Sequence, residues 1–316
     1  MKVGVIGAGY WGKKHVEEYT KLGHDVFVSD LLKENRNFCE MNYGSKTFDD
    51  YNKILQDEEI SAVSICTPDS THKKIAIEAL ENKKNILVEK PLSTSLNDID
   101  EILQKAKDCQ KLVMCGHIFR FNNALKKIKE IIQASKLGKI FVVELSWTDH
   151  YPILGVNSLL EKDILIDQGI HPVDIVDYLF ESSPSNITCF GSSFRIEKME
   201  HVTLNYKLED HDNNQLPLVN IKLSWITPIR NRSLIVVGSE KTAIVDCVFQ
   251  KIQLIKNSTK QSNELIIEPN NTLKDELDFF VKCRNNPNIL KPSYPSGEIA
   301  RNVIETLDKA KAILNY

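Results

Sequence analysis

Six residues near the amino terminus, Gly7-Ala8-Gly9-Tyr10-Trp11-Gly12, and an aspartate further on, Asp30, have the types and spacing that hold a dinucleotide. Gly7 permits a tight turn, Gly9 lets a pyrophosphate approach the backbone, and Gly12 lets the next helix pack close to the preceding strand. The free N–H groups at that helix start then face the phosphates. Asp30 stands eighteen residues after Gly12, where its carboxylate can accept hydrogen bonds from the adenosine ribose and would repel a 2′-phosphate. Leu31 and Leu32 follow it rather than an arginine, so NAD is expected ahead of NADP. A second feature is Glu89-Lys90-Pro91, directly after the apolar run Ile86-Leu87-Val88. Pro91 has no N–H for a ladder and ends the strand, leaving a lysine at the carboxyl edge where open α/β sheets bind ligands. A third is Asp167 and His171, four residues apart and on one face if both are helical. Pro172 belongs in a first helical turn and biases His171 away from the helix, which puts Asp167 ahead of the regular part. Taken alone, the pair reads equally well as a capping aspartate and a helix-start histidine.

The elements that must position these residues alternate. Lys2–Ile6, Asp25–Asp30, Ile60–Cys66, Asn85–Val88 and Leu112–Cys115 read as buried strands, and helical patterns separate them, among them 13–22, 73–81 and a long helix within 93–110. Such alternation predicts a doubly wound parallel sheet. From Asn186 to Ile267 strand patterns dominate, with candidates at 187–190, 201–208, 218–225, 233–237, 242–247 and 251–255. Uninterrupted strands predict antiparallel pairing. The expected architecture is α/β, an N-terminal Rossmann domain over 1–120 followed by an α+β domain over 121–316 with a large, mostly antiparallel sheet.

The 316 residues supply enough apolar material for two cores, and the net charge of −3 argues against a nucleic-acid binder. No apolar run reaches membrane-spanning length. Seven cysteines with no C-x-x-C, in a chain that opens directly on a strand, point to free thiols in a reducing cytoplasm, and no metal-ligand cluster stands out.

Four motifs occur in register: Gly7 to Gly12, Thr67-Pro68 with His72, Glu89-Lys90-Pro91, and Gly116-His117 with Arg120-Phe121. With these, the chain resembles the glucose-fructose oxidoreductase / inositol dehydrogenase / rhizopine-catabolism (Gfo/Idh/MocA) family of NAD(P)-dependent oxidoreductases over essentially its whole length. The resemblance implies that Tyr10, Trp11, Thr67, Pro68, His72, Glu89 and Lys90 join the glycines and Asp30 around the cofactor. It also implies that Asp167 and His171 are catalytic partners of Lys90, and that the second sheet pairs copies into a homodimer or homotetramer. By residue type, Arg120 reads either as a ligand of substrate oxygens or as a local ion pair, and Tyr151, in the loop before Asp167, either as a substrate contact or as a surface residue.

Oxidising a secondary alcohol requires a base within hydrogen-bond reach of the hydroxyl as hydride leaves the carbon. His171 has the ordinary pKa for that base; Lys90 would stabilise the developing oxyanion and is itself a candidate proton acceptor, with Asp167 orienting the relay. The expected activity is oxidation of a sugar, polyol or nucleotide sugar, or reduction of the corresponding ketone. The competing expectation is a non-catalytic dinucleotide-binding regulatory protein on the same fold, which has no need of Lys90, Asp167 and His171 together.

Overall fold

The computed structural model describes residues 1–150, 163–208, 217–283 and 294–314. The backbone divides into two compact units, one of residues 1–118 with 271–301 and one of 119–270 with 302–316. This differs from a single break at residue 120, because residues 271–301 return to the first unit.

Unit one holds a six-stranded parallel sheet of β1 (Lys2–Ile6), β2 (Asp25–Ser29), β3 (Lys46–Phe48), β4 (Ala62–Ile65), β5 (Asn85–Val88) and β6 (Val113–Cys115), in the order β3-β2-β1-β4-β5-β6. β3 has three residues and no apolar run of its own, so no sequence pattern announced it. The strands β1, β4 and β5 are almost wholly buried, as a sheet covered on both faces requires. Its helices include α1 (Tyr10–Lys21), α2 (Lys33–Tyr43), α3 (Asn52–Leu55), α4 (His72–Glu81) and α5 (Leu96–Cys109). The start of α1 lies three residues before the expected Lys13, so Tyr10 and Trp11 belong to its first turn. Ser95 caps α5 by accepting the Asp98 N–H. A later helix, α8 (Thr272–Cys283), packs on α1.

Unit two carries α6 (Asn123–Gln133), capped by Asn122, and α7 (Ile170–Phe180). Its eight strands are β7 (Ile140–His150), β8 (Pro184–Ser192), β9 (His201–Leu208), β10 (Leu218–Ser224), β11 (Ile226–Gly238), β12 (Lys241–Asp246), β13 (Lys251–Lys256) and β14 (Ser262–Leu265), in the order β14-β13-β12-β11-β7-β10-β9-β8. All pairs are antiparallel except β7 with β10. β11 begins well before the expected Ser233. A register shift between Ile226 and Asn231 admits Pro228 and a polar run that breaks the alternation. The buried alternation Val143, Leu145, Trp147 on β7 and Val219, Ile221, Leu223 on β10 makes one face of this sheet the core. The last helix, α9 (Gly297–Ile313), contains the boundary between the units.

Candidate active site

The registers of unit one align Ser29, Ile6, Ile65, Val88 and Cys115 in a single row at the carboxyl edge of the sheet. The ladder then runs one residue further. The N–H of Gly7 donates to Ser29 (2.7 Å), that of Cys66 to Ile6 (2.8 Å), that of Glu89 to Ile65 (2.9 Å) and that of Gly116 to Val88 (2.8 Å). Asp30, the glycine turn, Thr67-Pro68, Glu89-Lys90 and Gly116-His117 therefore all leave the sheet at one edge.

The turn's conformation follows from its glycines. Gly7 has φ +88°, and a Cβ there would lie 2.8 Å from the Cys66 carbonyl group. A Cβ on Gly12 would lie 1.9 Å from the Gly7 carbonyl oxygen. Gly9 is different: its missing Cβ would meet no protein atom within 4 Å, and it starts α1 without a side-chain cap. Open space before an uncapped helix start fits a phosphate. Beside it lies a cleft of about 540 Å³ whose walls include Gly7, Gly9, Asp30, Leu32, Thr67 and Pro68. The Asp30 carboxylate sits at its rim, accepting the N–H groups of Ala8 and Leu32, each at 2.7 Å, and the Asn35 amide at 3.2 Å. These residues fit a dinucleotide, with Asp30 toward the adenosine ribose and the glycine turn toward the pyrophosphate. Tyr10 is 72% exposed and meets Trp11 edge-on, with the Lys14 ammonium over both rings, so this aromatic pair stands at the outer surface.

The lysine turn is held from two sides. Lys90 is half-buried at the end of β5, and the Lys90–Pro91 peptide is cis. Glu89, expected beside the cofactor, is instead buried: one carboxylate oxygen lies 3.0 Å from His15 Nε2, and the other accepts the Lys90 backbone N–H at 3.1 Å. Burial pushes the Glu89 carboxyl up, but the His15 hydrogen bond, with the neighbouring charge of Lys90, outweighs it and leaves the pKa below its ordinary value. His72, also expected on the cofactor, is buried beneath the Thr67-Pro68 loop, its ring nitrogens facing the carbonyls of Pro91 (2.8 Å) and Thr67 (2.9 Å). It ties a cleft wall to the lysine turn. His15 was absent from the sequence expectations. Its signal was legible: with Gly12, Val16 and Tyr19 it falls on the buried face of α1 at helical spacing.

In unit two, Asp167 belongs to a π-helical turn, Leu165–Gly169, that runs directly into α7, where His171 is the second residue and Pro172 the third. Pro172 has no N–H for the Gln168 carbonyl four residues back, and a widened turn accommodates that gap. Both Asp167 and His171 are half-buried. The His171 ring meets Phe119 edge-on at 5.2 Å and lies 6.3 Å from the Trp147 ring. Gln168 supports the turn from below, its amide donating to the Trp147 carbonyl (2.8 Å) and accepting from the Trp225 indole (3.1 Å).

Of the two readings of Arg120, the structure shows the local ion pair. Arg120 is 4% exposed, and its guanidinium is paired with Asp174 at 2.7 Å and Asp177 at 2.5 Å. Burial pushes the Asp174 carboxyl up to about 6 against the pull of Arg120. A buried carboxylate on α7 demands a cation, so Arg120 turns inward rather than toward a substrate. Arg232 is likewise engaged with the Thr148 carbonyl (2.7 Å), whereas Arg230 is exposed. Tyr151 lies outside the described residues. None of the seven cysteines is in a disulfide, and no described helix is long and apolar enough to cross a membrane.

Comparison with known proteins agrees with this arrangement. Residues 1–117 match the oxidoreductase family model with an NAD-binding Rossmann fold, and residues 125–244 match the GFO/IDH/MocA C-terminal domain. The chain is similar to myo-inositol 2-dehydrogenase of Thermotoga maritima, 27% identical over 195 residues that make up 61% of this chain and 58% of that protein. The match thus spans less than two thirds of that relative. Two solved structures share the fold: UDP-N-acetylglucosamine 3-dehydrogenase GnnA from Acidithiobacillus ferrooxidans (TM-score 0.84, 20% identity, covering 99% of this chain and 97% of that one), and scyllo-inositol dehydrogenase from Lactobacillus casei with bound NAD(H) and scyllo-inositol (TM-score 0.80, 15% identity, covering 100% and 97%). With both family models matched, and with the glycine turn, Asp30 and the Lys90 turn on one sheet edge, the chain belongs to the Gfo/Idh/MocA family of oxidoreductases with an NAD-binding Rossmann domain.

Proposed function

We propose that this protein is an NAD-dependent oxidoreductase acting on a secondary hydroxyl of a sugar, polyol or nucleotide sugar, or on the corresponding ketone. The observation that carries the reading is the placement of Lys90. Two histidines fix the turn that bears it at the sheet edge that also forms the dinucleotide cleft. The names of relatives that act on inositols and on a UDP-sugar support the substrate class.

NAD supplies the hydride acceptor for alcohol oxidation. The glycine turn and the start of α1 hold the pyrophosphate, and Asp30 holds the adenosine ribose and disfavours a 2′-phosphate. Lys90 donates a hydrogen bond to the reacting oxygen and stabilises its developing charge. In this reading Asp167 and His171 complete a relay with Lys90: His171 is the acceptor of the hydroxyl proton, and Asp167 orients it. The second sheet pairs two or four copies through its outer face, which carries the exposed Phe190; sedimentation at monomeric mass would remove that part of the reading.

The test is a screen of inositols, free sugars and UDP-sugars with NAD, followed at the NADH absorbance band. Turnover of one class is expected. Tight NAD binding with no turnover of any class would replace the enzyme by a dinucleotide-binding regulatory protein.

A further inference from the structure

We propose that His15 and Glu89 form a buried brace whose task is to position Lys90; this rests on the reading above that Lys90 is catalytic. His15 is fully buried, and its Nε2 lies 3.0 Å from one Glu89 oxygen. The other oxygen accepts the Lys90 backbone N–H at 3.1 Å, so a single carboxylate joins α1 to the lysine's own main chain. The Glu89 N–H is meanwhile held by the Ile65 carbonyl at 2.9 Å, which fixes the strand end below.

The space for this carboxylate comes from a third element. A Cβ at Gly116, just past β6, would lie 3.1 Å from the second Glu89 oxygen and 3.3 Å from the Glu89 Cα and Cδ atoms. The other His15 ring nitrogen, Nδ1, is buried with no hydrogen-bond partner among the described residues. The bond to Glu89 is therefore the one that orients the ring.

Packing alone does not account for the pair. Burying a carboxylate costs several kcal/mol before its contacts repay it, and an apolar pair of similar volume is often as stable. What an apolar pair lacks is an acceptor for the Lys90 N–H. The brace also begins on the helix whose first turn receives the pyrophosphate, so one rigid element sets both the cofactor and the lysine. His15 and Glu89 are positioning residues; neither touches substrate in this proposal.

The experiment compares His15→Leu, His15→Gln, Glu89→Gln, Lys90→Ala and the double variant His15→Leu/Lys90→Ala. Rates are measured with NAD and myo-inositol, scyllo-inositol or UDP-N-acetylglucosamine, and NAD binding by tryptophan fluorescence. His15→Leu and Glu89→Gln should lower kcat by about tenfold to a hundredfold, the scale of a small misplacement of a catalytic group. Substrate KM and NAD affinity should stay within about twofold of the parent. His15→Gln, which keeps an N–H for the carboxylate, should recover most of the rate. In the Lys90→Ala background, His15→Leu should cost nothing further.

Hydrogen exchange at the Lys90 amide reads the brace without any substrate, and should be about tenfold faster in His15→Leu for a lost bond of this kind. Should His15→Leu fail to fold, Glu89→Met, of similar volume and with no oxygen to accept the Lys90 N–H, decides by the same two readouts. Parental kcat and parental exchange in the brace variants, beside an inactive Lys90→Ala, would overturn the brace and leave the lysine reading intact. Parental turnover by Lys90→Ala would overturn the lysine reading itself.

Discussion

The Asp30 carboxylate accepts the Ala8 backbone N–H at 2.7 Å, which ties the end of the second strand to the middle of the glycine turn. One side chain thus closes the glycine turn and lines the cleft, where the proposed reading seats the adenosine ribose. Asp30→Ala is expected to weaken NAD by about 1.5–3 kcal/mol, the value of hydrogen bonds to a charged group, and to weaken NADP less. Parallel titrations with the two cofactors check this; an equal loss for both would make Asp30 a turn residue only.

Gly9 and Gly12 should separate binding from folding. Gly12→Ala drives a methyl group to 1.9 Å from the Gly7 carbonyl oxygen and should destabilise the protein by about 3 kcal/mol, the upper range for overpacking, or more. Gly9→Ala meets no protein atom and should melt within about 0.5 kcal/mol of the parent while binding NAD more weakly. Thermal melts with and without NAD distinguish the two.

Lys90→Ala should reduce kcat by about 10²–10³-fold, the usual cost of removing one donor to a developing oxyanion, while the NAD titration barely moves. Steady-state rates on the substrate found by the screen, set beside cofactor binding, test both halves of that statement.

Glu89 gives a pH dependence of defined sign. Its pKa in the fold lies below the ordinary 4.5, so the unfolded chain binds more protons between the two values. The stability it contributes is complete above pH 4.5 and is lost as the pH falls through the folded value. Denaturant melts of the parent and Glu89→Gln should therefore differ most near neutrality and converge in acid. A gap that widens in acid would contradict the placement of this carboxylate.

Arg120→Ala should destabilise unit two by about 3–5 kcal/mol, because it leaves the buried Asp174 without its cation. Asp174→Asn in the same background should recover part of the loss. In whatever fraction remains folded, substrate KM should be unchanged; a raised KM at full stability would return Arg120 to the substrate.

Sequence by itself determined the parallel sheet, the glycine turn, Asp30 and the lysine at the end of β5. Each depends on short-range rules: strand periodicity, a glycine where a side chain collides, a proline that ends a ladder. The same rules placed Pro172 in a first helical turn with Asp167 ahead of the regular helix, and the π-helical turn is the form that took. Only the tertiary structure decided where the charged side chains point. Glu89 meets His15 across 74 residues of chain, and Arg120 meets Asp174 across 54. A charge written in a sequence is compatible with solvent, with a ligand or with a buried partner, and its desolvation cost is compensated only by a partner that folding brings within reach. That is why Arg120 and Glu89 looked like ligand contacts while turning inward, and why His15 drew no attention until the two ends of the pair stood side by side.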